Sequence, residues 1–261
     1  MTDDAILERL RTWYPDLESW RVRSNRADPE EPEPRSQLAN DDKAFPTLRL
    51  SEIARLSLIS AGEHVRLACD GLEAGHTYNS AHFTTLRGAM VGASQAIWLL
   101  GPDESSVRRE RLRVFAAEMH KQMRTHYGYL DRLDLDEAER MELDAQIAWL
   151  DQRDLDVASL RTTAAKLSQT ATIEWALDFT FADPALRHDG RLLWRQASAD
   201  AHALVWSLVQ RRHAAAPAGA HGLSVQQVGD GMIRHIAQPF ECSCRLLKRG
   251  WELFDQRCEG S

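Results

Sequence analysis

An arginine and a histidine spaced two helical turns apart can act together on a phosphodiester. The planar guanidinium fork takes a phosphate through paired contacts, and an imidazole near neutrality can accept or give a proton. The segment LLWRQASADAHALV supplies such a pair in Arg195 and His202, roughly 10 Å apart along a helix axis. Helical spacing over about 184 to 212 sets Leu193, Ala197, Leu204 and Leu208 on one side, as core. Arg191, Arg195, Ser198, His202 and Trp206 then share the opposite stripe, which is either a solvated face or a second interface. Arg195 and His202 are the candidate catalytic residues, and Arg191 and Ser198 the candidate binding residues.

The pattern competes with chance. With 28 arginines and 10 histidines, about three such spacings are expected at random, and two occur. The second, Arg113 to His120, lies among Leu112, Phe115 and Met119, where a packing role is adequate. Arg87 sits between Phe83 and Met90 on the apolar side of its helix, so a carboxylate partner is expected, with Glu63 or Asp70 the candidates.

Other chemistry finds little support. Cys242-x-Cys244 lacks the spacing and second ligand pair of a zinc site, His120 and His126 do not share a face as an i, i+4 pair would, and no Glu-x-x-His signature repeats on two helices. Phosphate-loop, dinucleotide, Gly-x-Ser-x-Gly and His-Glu-x-x-His motifs are missing. No metal and no cofactor is expected. The four cysteines are read as reduced thiols.

The elements that must position these residues are helical. An amphipathic helix over 2 to 20 carries Ile6, Leu7, Leu10 and Trp13 and is interrupted by Pro15. The run from Asp28 to Pro34, with three prolines and four acids, predicts an extended linker, and 24 to 45 is expected to hold neither helix nor strand. Core helices follow over 48 to 71, capped by Ser51, over 79 to 100, and from about 107 to Tyr127 or beyond. A long charged helix, or two broken near Asp154, is expected over 137 to 167, with Met141, Leu143, Ile147, Leu150, Leu155 and Leu160 inside. A short helix near Ile173 to Phe179, the helix bearing the candidate site, a loop at Ala214 to Gly222 and a last helix from Val225 to Cys258 complete the chain. The architecture predicted is all-α, a multi-helix bundle of long antiparallel helices behind an extended N-terminal linker. It divides into 1–46 and a bundle domain over 47–261.

A formal charge of −7 argues against DNA as a partner. No stretch reaches the roughly 20 apolar residues of a membrane span, and the acidic start MTDDAILERL lacks the order of a signal peptide, so a cytoplasmic protein with no membrane partner is expected.

The segment LLWRQASADAHALV also resembles the Arg-x(4–6)-His motif of the HEPN superfamily, helical bundles that include metal-independent ribonucleases of toxin and antiphage systems. The segment YNSAHFTTLRGAMVGASQAIWLLGPDESSVRRERLR is similar to a stretch of uncharacterised actinobacterial proteins of HEPN-like helical type. The resemblance implies that Arg195 neutralises a scissile phosphate while His202 acts as general acid or base on a ribose 2′-hydroxyl. It also implies a site completed across a symmetric homodimer, with RNA as the partner. Gln196 fits the polar residue that follows the motif arginine, and the six-residue spacer stands at the motif's long limit. The alternative is a non-catalytic helical binding or regulatory protein.

Overall fold

The computed structural model describes residues 2–26, 32–213 and 232–260. Among these, every regular element is an α-helix: α1 (Asp3–Arg11), α2 (Tyr14–Ser24), α3 (Gln37–Ala44), α4 (Leu50–Glu73), α5 (Ala81–Leu100), α6 (Ser105–Leu130), α7 (Glu137–Leu160), α8 (Gln169–Thr180), α9 (Pro184–Ala201), α10 (Trp206–His213) and α11 (Met232–Cys258). No described helix is long and apolar enough to cross a membrane. The residues from Ala27 to Glu31, most of the acidic run, lie outside the described residues, as do the loop at 214–222 and the first positions of the expected last helix.

α5 occupies the centre. It packs against α4 and α11 most extensively, then α8 and α9, and touches α6. A helix enclosed in this way must be apolar nearly all round and narrow where neighbours cross it. A Cβ added at Gly92 of α5 would stand 2.6 Å from the Ser57 carbonyl oxygen of α4, and one at Gly250 of α11 would stand 2.5 Å from Leu58 Cδ2. These two glycines set how closely α4, α5 and α11 approach.

Several expectations are revised. The helix expected over 2 to 20 is interrupted, but at Thr12 and Trp13, and Pro15 falls in the first turn of α2, where its missing N–H costs nothing. The segment 24–45 contains α3, capped by Ser36, whose hydroxyl accepts from the Ala39 N–H. Leu38 of α3 is buried and joins Ile6, Leu10, Leu17 and Trp20 in the same core as α4, α5 and α11. Ser51 is not the N-cap of α4 but lies within its first turn, and its N–H and hydroxyl donate to Asp42 at 3.0 and 2.5 Å. α7 runs unbroken through Asp154 and stops at Leu160. Its core stripe is Leu143, Leu150 and Val157, seven apart, so Met141 and Leu155, at 68% and 65%, face outward.

The α3–α6 contact is electrostatic. Asp41, fully buried, accepts from Arg108 Nε at 2.6 Å and Arg109 Nε at 3.0 Å, and Arg108 is itself only 1% exposed. Asp41→Ala therefore strands a buried guanidinium, and a loss of about 3–5 kcal/mol in urea-unfolding free energy is expected. Burial also holds the His82 imidazole below its ordinary value, and burial together with Arg211 does the same for His235. In both, the unfolded chain takes up a proton that the native state resists. Stability is therefore complete above the ordinary histidine range, about 6.5, and falls as pH drops below it. Urea midpoints measured downward from pH 7.5 should show that decline, and it should flatten in the His82→Gln, His235→Gln double variant.

Candidate functional site

α9 begins at Asp183, whose carboxylate accepts from the Ala185 N–H, with Pro184 in the first turn. Its inner side carries Gly190, Trp194 and Ala197, all buried. Gly190 is needed because a Cβ there would lie 2.5 Å from Leu177 Cδ2 of α8. The helix runs unbroken from Arg191 to Ala201, so Arg191, Arg195 and Ser198 keep the shared stripe, and His202 follows as the C-cap.

Along that stripe the residues differ. Arg191 is engaged with Asp178 of α8 at 2.6 Å. Ser198 is half-buried, while Arg195 and His202 are exposed, and neither side chain has a hydrogen-bond or ion-pair partner among the described residues. The structure thus brings Arg195 and His202 to one face but into neither of the grooves described below.

The expected single helix over 184 to 212 is divided. Ala203 takes φ +53°, the Ala203 N–H donates to the Asp200 carbonyl at 3.0 Å, and the Leu204 N–H reaches back to the Ala199 carbonyl at 2.8 Å. That is a Schellman closure with alanine where glycine is usual. α10 then folds back: Arg211 Nη2 donates to Asp200 Oδ1 at 2.6 Å, Ser207 Oγ to the same oxygen at 3.1 Å, and the Arg211 guanidinium lies 3.9 Å from the Phe83 ring centroid. Leu204, expected in the core, is instead 53% exposed at the elbow, next to Val205 at 64% and Trp206 at 40%.

The second Arg-to-His spacing proves structural. His120 is buried, with Nδ1 3.0 Å from Asp154 Oδ1 of α7 and its ring edge-on to Trp149, while Arg113 lies 3.4 Å from Glu110. Arg87 also departs from expectation. It is half-buried and has no carboxylate in reach among the described residues; instead Nη2 donates to the Gln169 side chain at 3.1 Å and the guanidinium covers Trp194 at 4.8 Å. Cys242 and Cys244 are buried thiols pushed up by burial, and among the described residues no three His, Cys, Asp or Glu side chains gather as a metal site would need.

Two grooves flank these elements. One, of about 180 Å³, lies where α9 meets α11 and includes Asp189, Glu241 and Arg245. The larger, about 380 Å³, runs along α4, α5 and α6 and includes His64 and Arg87. Sequence reasoning paired Arg87 with the wrong partner and passed over His64, since nothing in a linear pattern places α6 apart from α4. No protein family, curated protein or solved structure matches the chain.

The elbow yields a direct check. A left-handed alanine costs roughly 1–2 kcal/mol that glycine does not pay. Ala203→Gly is expected to raise unfolding free energy by about 1 kcal/mol, against the usual penalty of glycine near helices, as read from the urea midpoint.

Proposed function

We propose that this chain is a HEPN-like helical protein that acts on RNA as a pair of chains, without metal, through the outer face of α9. Arg195 neutralises the phosphate, His202 transfers the proton, and Arg191 and Ser198 border them. The observation that supports this reading is that Arg195, on the outer stripe of α9, and His202, its C-cap, are both exposed and without a partner among the described residues. Exposed Leu204, Val205 and Trp206 beside them offer apolar area for a second copy to cover.

A second reading, a helical binding protein without chemistry, is favoured by the shape of the same face. Arg195 and His202 stand two turns apart, roughly 10 Å along the axis, and neither has a partner among the described residues that would draw it toward the other. Under that reading the face makes contacts only.

Purified protein is expected to cut single-stranded RNA in the presence of EDTA. His202→Ala should lower the rate by about 10²–10⁴-fold, the usual contribution of general acid–base catalysis. Its helical circular dichroism and melting temperature should hold, because the side chain is exposed. Intact RNA with wild-type protein, together with altered self-association in Arg195→Ala, would instead establish the binding reading.

A further inference from the structure

We infer that the groove along α4, α5 and α6 binds a small amphipathic anion, a carboxylate or phosphate head carrying a medium-length apolar body. This site lies apart from the α9 outer face and does not depend on the reading given to that face. Its floor is α5 at Gly88 and Gly92, where side chains are missing. Gly92 is filled by the close approach of α4, but above Gly88 lies the His64 imidazole, with Nε2 2.5 Å from where a Cβ would stand. Its walls are apolar: Leu56 and Val91 with Phe115 and Met119 of α6. Leu56 is 48% exposed despite this company, which leaves apolar surface for a ligand to cover.

The polar inventory selects the head group. Gln95 Nε2 donates to Ser57 Oγ at 2.7 Å, and Ser57 Oγ donates to the Ile53 carbonyl at 2.7 Å, so these two are satisfied. Arg87 and His64 are not. Among the described residues the Arg87 guanidinium has a neutral amide and an aromatic face as its partners, and its Nε–H is shut from solvent without an acceptor there. His64 has no hydrogen-bond partner among the described residues. In a chain with 39 acidic side chains, a half-buried arginine lacking a carboxylate marks a place where an anion from outside is the missing partner. A cation would be repelled, and a neutral apolar molecule would leave both groups as they are.

The groove volume falls within the range of small-molecule sites, roughly 300–1,000 Å³, and suits a ligand of modest size. Trp194 beneath the guanidinium and Gln169 at Nη2 fix the fork before a ligand arrives, which lowers the ordering cost of binding.

Titration calorimetry and thermal shift with full-length protein test this, using octanoate and octyl phosphate as probes, octanol as the uncharged control and inorganic phosphate as the head alone. Either charged probe is expected to bind and raise the melting temperature, with octanol and inorganic phosphate each at least about tenfold weaker. The stronger of the two charged probes identifies the head. Arg87→Met, which removes charge but no ion pair, should weaken that probe at least about tenfold. Should Arg87→Met fail to fold, Met119→Glu places a like charge on the half-buried α6 wall and should weaken the probe equally, with the melting temperature of the free protein retained. Failure of both charged probes at low millimolar concentration, equal binding of octanol, or undiminished binding in a folded variant overturns the inference.

Discussion

Carbonyls at the C-terminal end of a helix need donors, and α5 ends inside the protein, away from water. Arg257, from the far end of α11, answers this need. It donates to the carbonyls of Leu100, Gly101 and Pro102 at 3.2–3.4 Å, to Gln37 of α3 at 2.6 Å and to Asp103 at 2.8 Å. Arg108, one turn into α6, adds donors to the Pro102 and Asp103 carbonyls at 2.9 and 2.7 Å and is balanced by Asp41. One buried helix end therefore fixes three others: the close of α11, the start of α6 and the whole of short α3. Two buried arginines are costly to desolvate, and neither would be tolerated without this full set of acceptors.

With its origin pinned there, α6 leaves α5 after a short contact and pairs with α7 along most of its length. The pairing is held by Leu143, Leu150 and Val157 and by the cluster in which Arg124 reaches Asp151 and Asp154 while His120 meets Asp154. The wedge between departing α6 and the α4–α5 pair is the groove that contains His64 and Arg87. Close α4–α5 packing and an open α4–α6 gap thus have related causes: glycine at 92 admits α4 and glycine at 88 admits the His64 imidazole, while the polar anchor at the α5–α6 turn directs α6 outward.

Much of this was legible in the sequence, and what was not has physical reasons. Three- and four-residue apolar spacing reports α4, α5 and α6 because those helices bury a continuous face. It misreads α7, where apolar residues lie on two opposite sides and only the stripe through Leu143, Leu150 and Val157 meets a partner. α3 was hidden because its eight residues, QLANDDKA, carry one large apolar side chain and are held by buried aspartates, a signal that composition records as polar. The break after α9 was hidden because Ala203 stands where a glycine would have announced it. For the candidate site, the shared stripe of Arg191, Arg195 and Ser198 followed from helical spacing alone, whereas the partners of Arg87 come from α8 and α9, about 80 and 100 residues away, beyond the reach of any periodic argument.

The elbow beyond α9 shows why the candidate pair faces outward. Asp200 is fully buried and carries a charge that its own helix cannot satisfy, and Arg211 is the cation that reaches it. Were the helix to continue, Arg211 would stand eleven residues on, about 16 Å further along the axis, and could not touch Asp200. The chain must turn back within a few residues, and the left-handed strain at Ala203 is smaller than the cost of an unpaired buried carboxylate. That turn leaves His202 as the C-cap, one residue past the end of α9, and pushes Leu204, Val205 and Trp206 into the open. The same ionic pair that closes the interior on the α5 side therefore leaves, on the other, an exposed elbow with a histidine at its edge and an arginine two turns before it. Arg195 and His202 line neither groove, and exposed groups outside a groove can be presented but do not enclose a substrate, so any chemistry there depends on a second surface brought against them.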